Sequence, residues 1–170
     1  AETVAGAGMQ GGLYHVFTHA IMKGGAFLVV AATAMVGIGE EIGQYKGLAK
    51  RMPFLAFAMA VFLLSLAGIP PLGGFFSKFI LFSSAISAMA FNPWYLALAV
   101  SGVLNSALSL YYYARVIWYM WVLEPSEGAA KIESSRSMTA AIGIAFILIW
   151  VTGLAAFPFI AYLEGAARTF

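Results

Sequence analysis

The chain has 170 residues, of which 62% are apolar and only 9% charged, where soluble domains carry roughly a quarter. Nine Lys and Arg face seven Glu and no Asp, for a formal net charge of +2, which excludes the basic field of a nucleic-acid binder. A mean hydropathy of +0.91 excludes an ordinary water-soluble enzyme.

The absence of cysteine removes disulfides, thiolate nucleophiles, Cys-ligated zinc and Cys-held iron–sulfur clusters. The chain opens on Ala1, and its first dozen residues lack the basic and apolar regions of a signal peptide, so loss of an original start by processing or truncation is expected.

A helix needs about 20 apolar residues to cross a hydrocarbon layer of about 30 Å. Five stretches approach this, and residues 12–38, 54–69, 72–91, 94–123 and 138–163 are predicted as spans. The segments between them, 39–52, Pro70–Pro71, Asn92–Pro93 and 124–137, hold most of the charges and are predicted as connections. A barrel would show period-two alternation, which is missing. The predicted fold is therefore all-α, a polytopic membrane helix bundle of about five transmembrane helices forming a single domain, with the lipid bilayer as its surroundings and no nucleic acid as a partner. Trp94, Tyr95, Trp118, Tyr119 and Trp121 near the ends of the fourth stretch suit the membrane interface. With five crossings, Lys46, Lys50, Arg51 and Arg168 face one side and Lys131, Arg136 and Arg115 the other, which leaves the orientation undecided.

In the first stretch His15, His19 and Lys23 stand at i, i+4 and i+8. At about 100° per residue they share an arc of roughly 80° over about 12 Å of helix. A charge in hydrocarbon costs at least about 2.5–3.5 kcal/mol, so ionisable groups there persist mostly when enclosed by protein or water. An imidazole changes charge near physiological pH, and a row of imidazole and amine is what a proton relay needs. Two alternatives stand beside it: a metal ion shared by the two histidines, which has no carboxylate nearby in sequence, and a headgroup position with Lys23 snorkelling outward.

Lys78 follows the run Leu66-Ala-Gly-Ile-Pro-Pro-Leu-Gly-Gly-Phe-Phe-Ser77, a turn or interrupted helix of a kind tolerated at membrane depth only where it is enclosed or lines a cavity. Pro70 and Pro71 supply no N–H, so carbonyls upstream are freed beside an ammonium. The alternative is a tight hairpin with Lys78 near an interface. Arg115 is expected to snorkel to headgroups. Gly102, Asn105, Ser106 and Ser109 share a face and read as close helix packing, with Asn105 able to hold a water. Glu40, Glu41, Lys46, Lys50 and Arg51 form a solvated turn. No hydrolase triad, phosphate loop or dinucleotide fingerprint is present, so neither redox chemistry nor a cofactor is expected in this chain.

HVFTHAIMKGGAFL (15–28), YKGLAKRMP (45–53), SLAGIPPLGGFFSKF (65–79) and, more loosely, NSALSLYYYARVIWYM (105–120) resemble the antiporter-like membrane subunits of respiratory complex I and its relatives. The similarity covers nearly the whole chain and is strongest to the N-type subunit, including that of archaeal complexes oxidising a reduced deazaflavin. The resemblance implies the last five helices, ten to fourteen, of a fourteen-helix fold, with span 12–38 as helix ten and 72–91 as the interrupted helix twelve. It implies a role for Lys23 and Lys78 on a hydrated axis across the membrane, bridged by His15 and His19. It also implies protons and internal water as what the chain handles, and a proton-translocating NADH-quinone or related oxidoreductase as the assembly. The partners would be that assembly's other membrane subunits, in a prokaryotic plasma membrane. The first nine helices have no counterpart here, so a fragment or split-gene product is expected. A multi-subunit sodium–proton antiporter and a non-conducting anchor remain the rival functions.

Overall fold

The computed structural model describes residues 2–125, 130–158 and 160–161. The end of the predicted span 138–163, Arg168 and loop positions 126–129 lie outside them. Among the described residues the regular structure is helical. It consists of α1 (Glu2–Ala34), a 3₁₀ turn (Ile42–Tyr45), the single turn α2 (Leu48–Arg51), α3 (Pro53–Ala67), α4 (Gly73–Ala88), α5 (Trp94–Trp121) and α6 (Arg136–Leu154).

The start of α3 follows from Pro53 at its first turn, where the missing N–H is no loss. Its end follows from Gly68 at φ +91°, whose N–H caps Leu64 O and Ser65 O. Apolar residues surround α3 on every side, and most of them are buried, among them Phe62 and Ala58 at 0% exposure. A helix apolar all round belongs at the centre of a bundle, and α3 lies against α1, α5 and α6.

The main difference from the sequence expectation concerns the stretches 54–69 and 72–91. They do not fold back on each other as a hairpin of two spans. As α1 advances, its partners step steadily backward through α4 and then α3. A Cβ built on Gly8 would meet Ser84, and one on Gly11 would lie 2.8 Å from Ile80 Cγ2. His15 pairs with Ser77, Met22 with Ser65, and Gly25 abuts the Phe62 ring. Helices α3 and α4 are thus two halves of one interrupted helix, laid end to end along α1.

Length supplies the physical reason. The 15 residues of α3 and the 16 of α4 reach about 22 and 24 Å at about 1.5 Å per residue, and neither spans about 30 Å alone. Together they match the 33 residues of α1. The five apolar stretches accordingly make four passages through the bundle.

Helix α5 returns along the composite helix. Gly102 abuts Phe82, Ser106 meets Lys78, and the Gly47 N–H donates to Tyr119 O at 3.1 Å. Helix α6 then runs parallel to the composite. Ile132 N–H donates to Arg51 O at 3.1 Å, Phe146 packs 5.6 Å from Phe57, and Phe157 packs 5.9 Å from Phe76.

Loops 39–52 and 124–137, placed on opposite faces by five crossings, therefore share one end. There Lys50 pairs with Glu124 at 2.5 Å, an exposed contact that contributes little by itself. That end carries Lys46, Lys50, Arg51, Lys131 and Arg136, whereas the described residues of the opposite end, 4–12 and 89–93, carry no Lys or Arg. The positive-inside rule predicts the charged end on the side where the chain is made. Single cysteines introduced at Lys46, Lys131 and Asn92 of this cysteine-free chain test both points. Impermeant maleimide should reach the first two from the same, cytoplasmic side and the third from the other. Labelling of positions 46 and 131 from opposite sides would contradict the end-to-end helix.

Candidate functional site

The interruption at 68–72 leaves two helix-end carbonyls without their usual partners. In an uninterrupted helix Leu66 O and Ala67 O would accept from the N–H groups of residues 70 and 71, but both positions are proline, joined here by a cis peptide bond. The Lys78 side chain folds back to them. Its Nζ donates to Leu66 O at 2.7 Å, to Ala67 O at 3.4 Å and to Ser106 Oγ of α5 at 3.1 Å. An unpaired carbonyl in a membrane interior costs several kcal/mol, so one ammonium relieves two such groups. The fold-back also moves the charge toward mid-height, level with the helix break.

A second chain of contacts joins this seat to α1. Ser77, fully buried and next to Lys78 in the chain, donates to Gly74 O at 3.1 Å and lies 3.0 Å from His15 Nδ1. A hydroxyl has one proton to give. With that proton on Gly74 O, Ser77 accepts from His15 Nδ1–H, and Nε2 of the neutral ring is left as the basic nitrogen. His19 lies one turn further, its ring centroid 5.6 Å from that of His15. His15 sits within about one turn of the midpoint of α1.

Lys23 continues the same stripe, but on the exposed surface of the described chain. The four predicted residues therefore divide. Lys78 and His15 are half-buried and tied through the adjacent Ser77, His19 is half-buried beside them, and Lys23 faces outward.

Small residues make the close approach possible. A Cβ on Gly74 would lie 1.9 Å from Ser65 O, one on Gly73 2.5 Å from Thr152 Oγ1, and one on Gly153 2.1 Å from Pro71 O. The buried Tyr14 hydroxyl donates to Thr152 O of α6, and Thr18 Oγ1 donates to Tyr14 O at 2.9 Å. The break is thus ringed by hydroxyls and backbone on the α1 and α6 sides as well.

Sequence reading did not single out Ser77, Tyr14 or Thr18, and assigned Ser106 to packing. The position of Ser77 beside Lys78 was an available signal, but the pairing of Ser106 with a residue 28 positions away had none. The alternative of a shared metal ion gains no third ligand, since no group of three His, Cys, Asp or Glu forms among the described residues. Arg115 lies over the Tyr119 ring at 5.9 Å, nearly two turns before the end of α5.

This is a membrane helix bundle built round an interrupted helix with a lysine seated at the break, and comparisons with known proteins define its family. Residues 2–109 match the model for the transmembrane domain of NADH:quinone oxidoreductase and Mrp antiporter subunits, and the chain belongs to that family. It is 40% identical over 168 residues to F(420)H(2) dehydrogenase subunit N of Methanosarcina mazei, covering 94% of this chain and 33% of that protein. It is 35% identical over 167 residues to NADH-quinone oxidoreductase subunit N of Myxococcus xanthus, covering 95% and 31%. The chain spans about a third of the length of the curated relatives it matches. Among solved structures, the Mrp complex of a Dietzia species shares the fold, with a TM-score of 0.74 at 24% identity over 93% of this chain and 36% of that one. The chain is accordingly an integral membrane protein.

Two glycines test the geometry of the break. Gly68→Ala forces an L-residue into a left-handed conformation, at about 1–2 kcal/mol, and pushes a methyl to 3.3 Å from Lys78 Cδ. Gly74→Ala drives a methyl into the Ser65 carbonyl, which cannot swing aside. Thermal unfolding of the detergent-solubilised assembly should show a moderate loss for the first and a larger loss, or failure to assemble, for the second. Equal tolerance of both would mean that the halves are not packed this closely.

Proposed function

We propose that this chain is part of a proton-translocating membrane subunit in a redox-driven dehydrogenase complex of a prokaryotic plasma membrane, with electron transfer carried out elsewhere in the assembly. The observation that carries the reading is the Lys78 seat. A titratable amine sits at the break of an interrupted helix, held by Leu66 O, Ala67 O and Ser106 and linked through Ser77 to His15 and His19. Such a group has no use for lipid, and the cost of placing it there argues for transport.

In the proposed mechanism a proton passes among Lys23, His19, His15 and Lys78 with the help of internal water, each site responding to the charge of its neighbours. Moving one charge against 100 mV costs about 2.3 kcal/mol, within reach of a modest rearrangement of neighbouring charges. The outward face of Lys23 supports contact with protein outside this chain: the remaining helices of the same subunit or a neighbouring subunit. Relatives named as subunits of an F(420)H(2) dehydrogenase and of NADH-quinone oxidoreductases support placing the chain in a multi-subunit membrane assembly.

A second reading, a subunit of a multi-subunit sodium–proton antiporter, draws on the family's inclusion of Mrp antiporter subunits. Proton uptake into vesicles holding the complete complex separates the possibilities. Lys78→Met complexes that still assemble, as checked by subunit content, should lose most of their pumping, while the unaltered complex should pump at the same rate with and without sodium. Pumping unchanged in the Met variant would leave only an anchoring role, and strict sodium dependence would favour the antiporter.

A further inference from the structure

The Lys78 seat is asymmetric in a way that its three distances alone do not express. An ammonium offers three N–H bonds and no lone pair, and here it meets three acceptors. A neutral amine offers two N–H bonds and one lone pair, which needs a donor. Leu66 O and Ala67 O are carbonyls and can only accept. Ser106 is the one member of the seat with a proton of its own.

In the structure that proton is committed elsewhere. Ser106 Oγ donates to Gly102 O, four residues back on α5, at 3.0 Å, and so presents only lone pairs to Lys78 Nζ at 3.1 Å. Both partners are within hydrogen-bonding distance of the same oxygen, so rotation about the Cβ–Oγ bond alone redirects the proton, with no movement of heavy atoms. Gly102 O would keep its helical partner, the Ser106 backbone N–H, and would not be left bare.

We propose that Ser106 is a positioning residue that allows Lys78 to change charge by reversing the direction of their hydrogen bond. When Lys78 gives one N–H proton to a water molecule, its nitrogen gains a lone pair. The Ser106 O–H then leaves Gly102 O and donates to that lone pair. When the amine is protonated again, the hydroxyl returns to Gly102 O. One proton leaves Lys78 and one comes back, and Ser106 keeps its own throughout. A seat made only of carbonyls would hold the ammonium and offer the lone pair of the neutral amine nothing.

This inference rests on the reading of Lys78 as a proton carrier. Its test compares Ser106→Thr with Ser106→Val in the complete complex reconstituted in vesicles. Thr and Val share a shape, but only Thr retains a hydroxyl able to bond four residues back along a helix. Assembly is checked by subunit content. The Val variant should pump about ten-fold more slowly, the equivalent of about 1.4 kcal/mol in a barrier, and the Thr variant should remain close to wild type. Val and Thr variants that pump alike, whether fast or slow, would overturn the proposal, because shape rather than the hydroxyl would then be what matters. Lys78→Met run in parallel separates the two readings. If it abolishes pumping while Ser106→Val pumps normally, only the role of Ser106 falls. If Lys78→Met itself pumps normally, the carrier reading falls first.

Discussion

The architecture depends on one arrangement, the return of the Lys78 ammonium to the two carbonyls that Pro70 and Pro71 leave unpaired. A membrane interior punishes both halves of this contact when they are separate, the bare carbonyls and the lone charge. Brought together, each satisfies the other. The same contact couples the two halves of the interrupted helix, because the lysine belongs to α4 and its acceptors to α3. A break that would be a defect in an ordinary helix thus becomes a place where a charged group can reside near the middle of the bundle.

Around that contact the bundle is organised by pairs of short polar side chains and close backbone approaches. Ser77 and Ser106 follow the same pattern. Each gives its proton to a carbonyl one turn back in its own helix and turns its oxygen toward a basic side chain. Serine back-bonding of this kind is common in helices. What distinguishes these two is the partner on the other side, His15 for one and Lys78 for the other. Ser65 has a related role, accepting from Gly74 N–H across the break. The polar atoms at the break are therefore joined to one another and to α1, α5 and α6.

Packing and polarity are divided between the two ends of the composite helix. Its first half, α3, is enclosed by large apolar side chains, with Met22, Val29, Leu48, Met120, Ile142 and Ile149 all buried around it. Its second half is more open, and the residues of α5 that run beside it are largely exposed. The enclosed half supplies the carbonyl acceptors, and the open half carries the lysine and faces outward with α5.

The membrane class, the all-α fold and the identity of the ionisable groups were legible in the sequence. They depend on local quantities: the length of apolar runs, the helical spacing of His15, His19 and Lys23, and the absence of N–H on two prolines. That freed carbonyls would lie beside an ammonium could likewise be read from the run between Leu66 and Lys78. The sequence did not decide whether 54–69 and 72–91 turn back or continue in line. A proline pair breaks hydrogen bonds in either geometry, and only the partners stepping backward along α1 distinguish them. Nor did it decide the sidedness of the loops, which follows from the number of passages, or the place of Ser106, whose spacing fits packing as well as it fits a hydrogen bond. Those outcomes belong to contacts between residues far apart in the chain, where local propensity carries no information and the three-dimensional arrangement alone selects the partner.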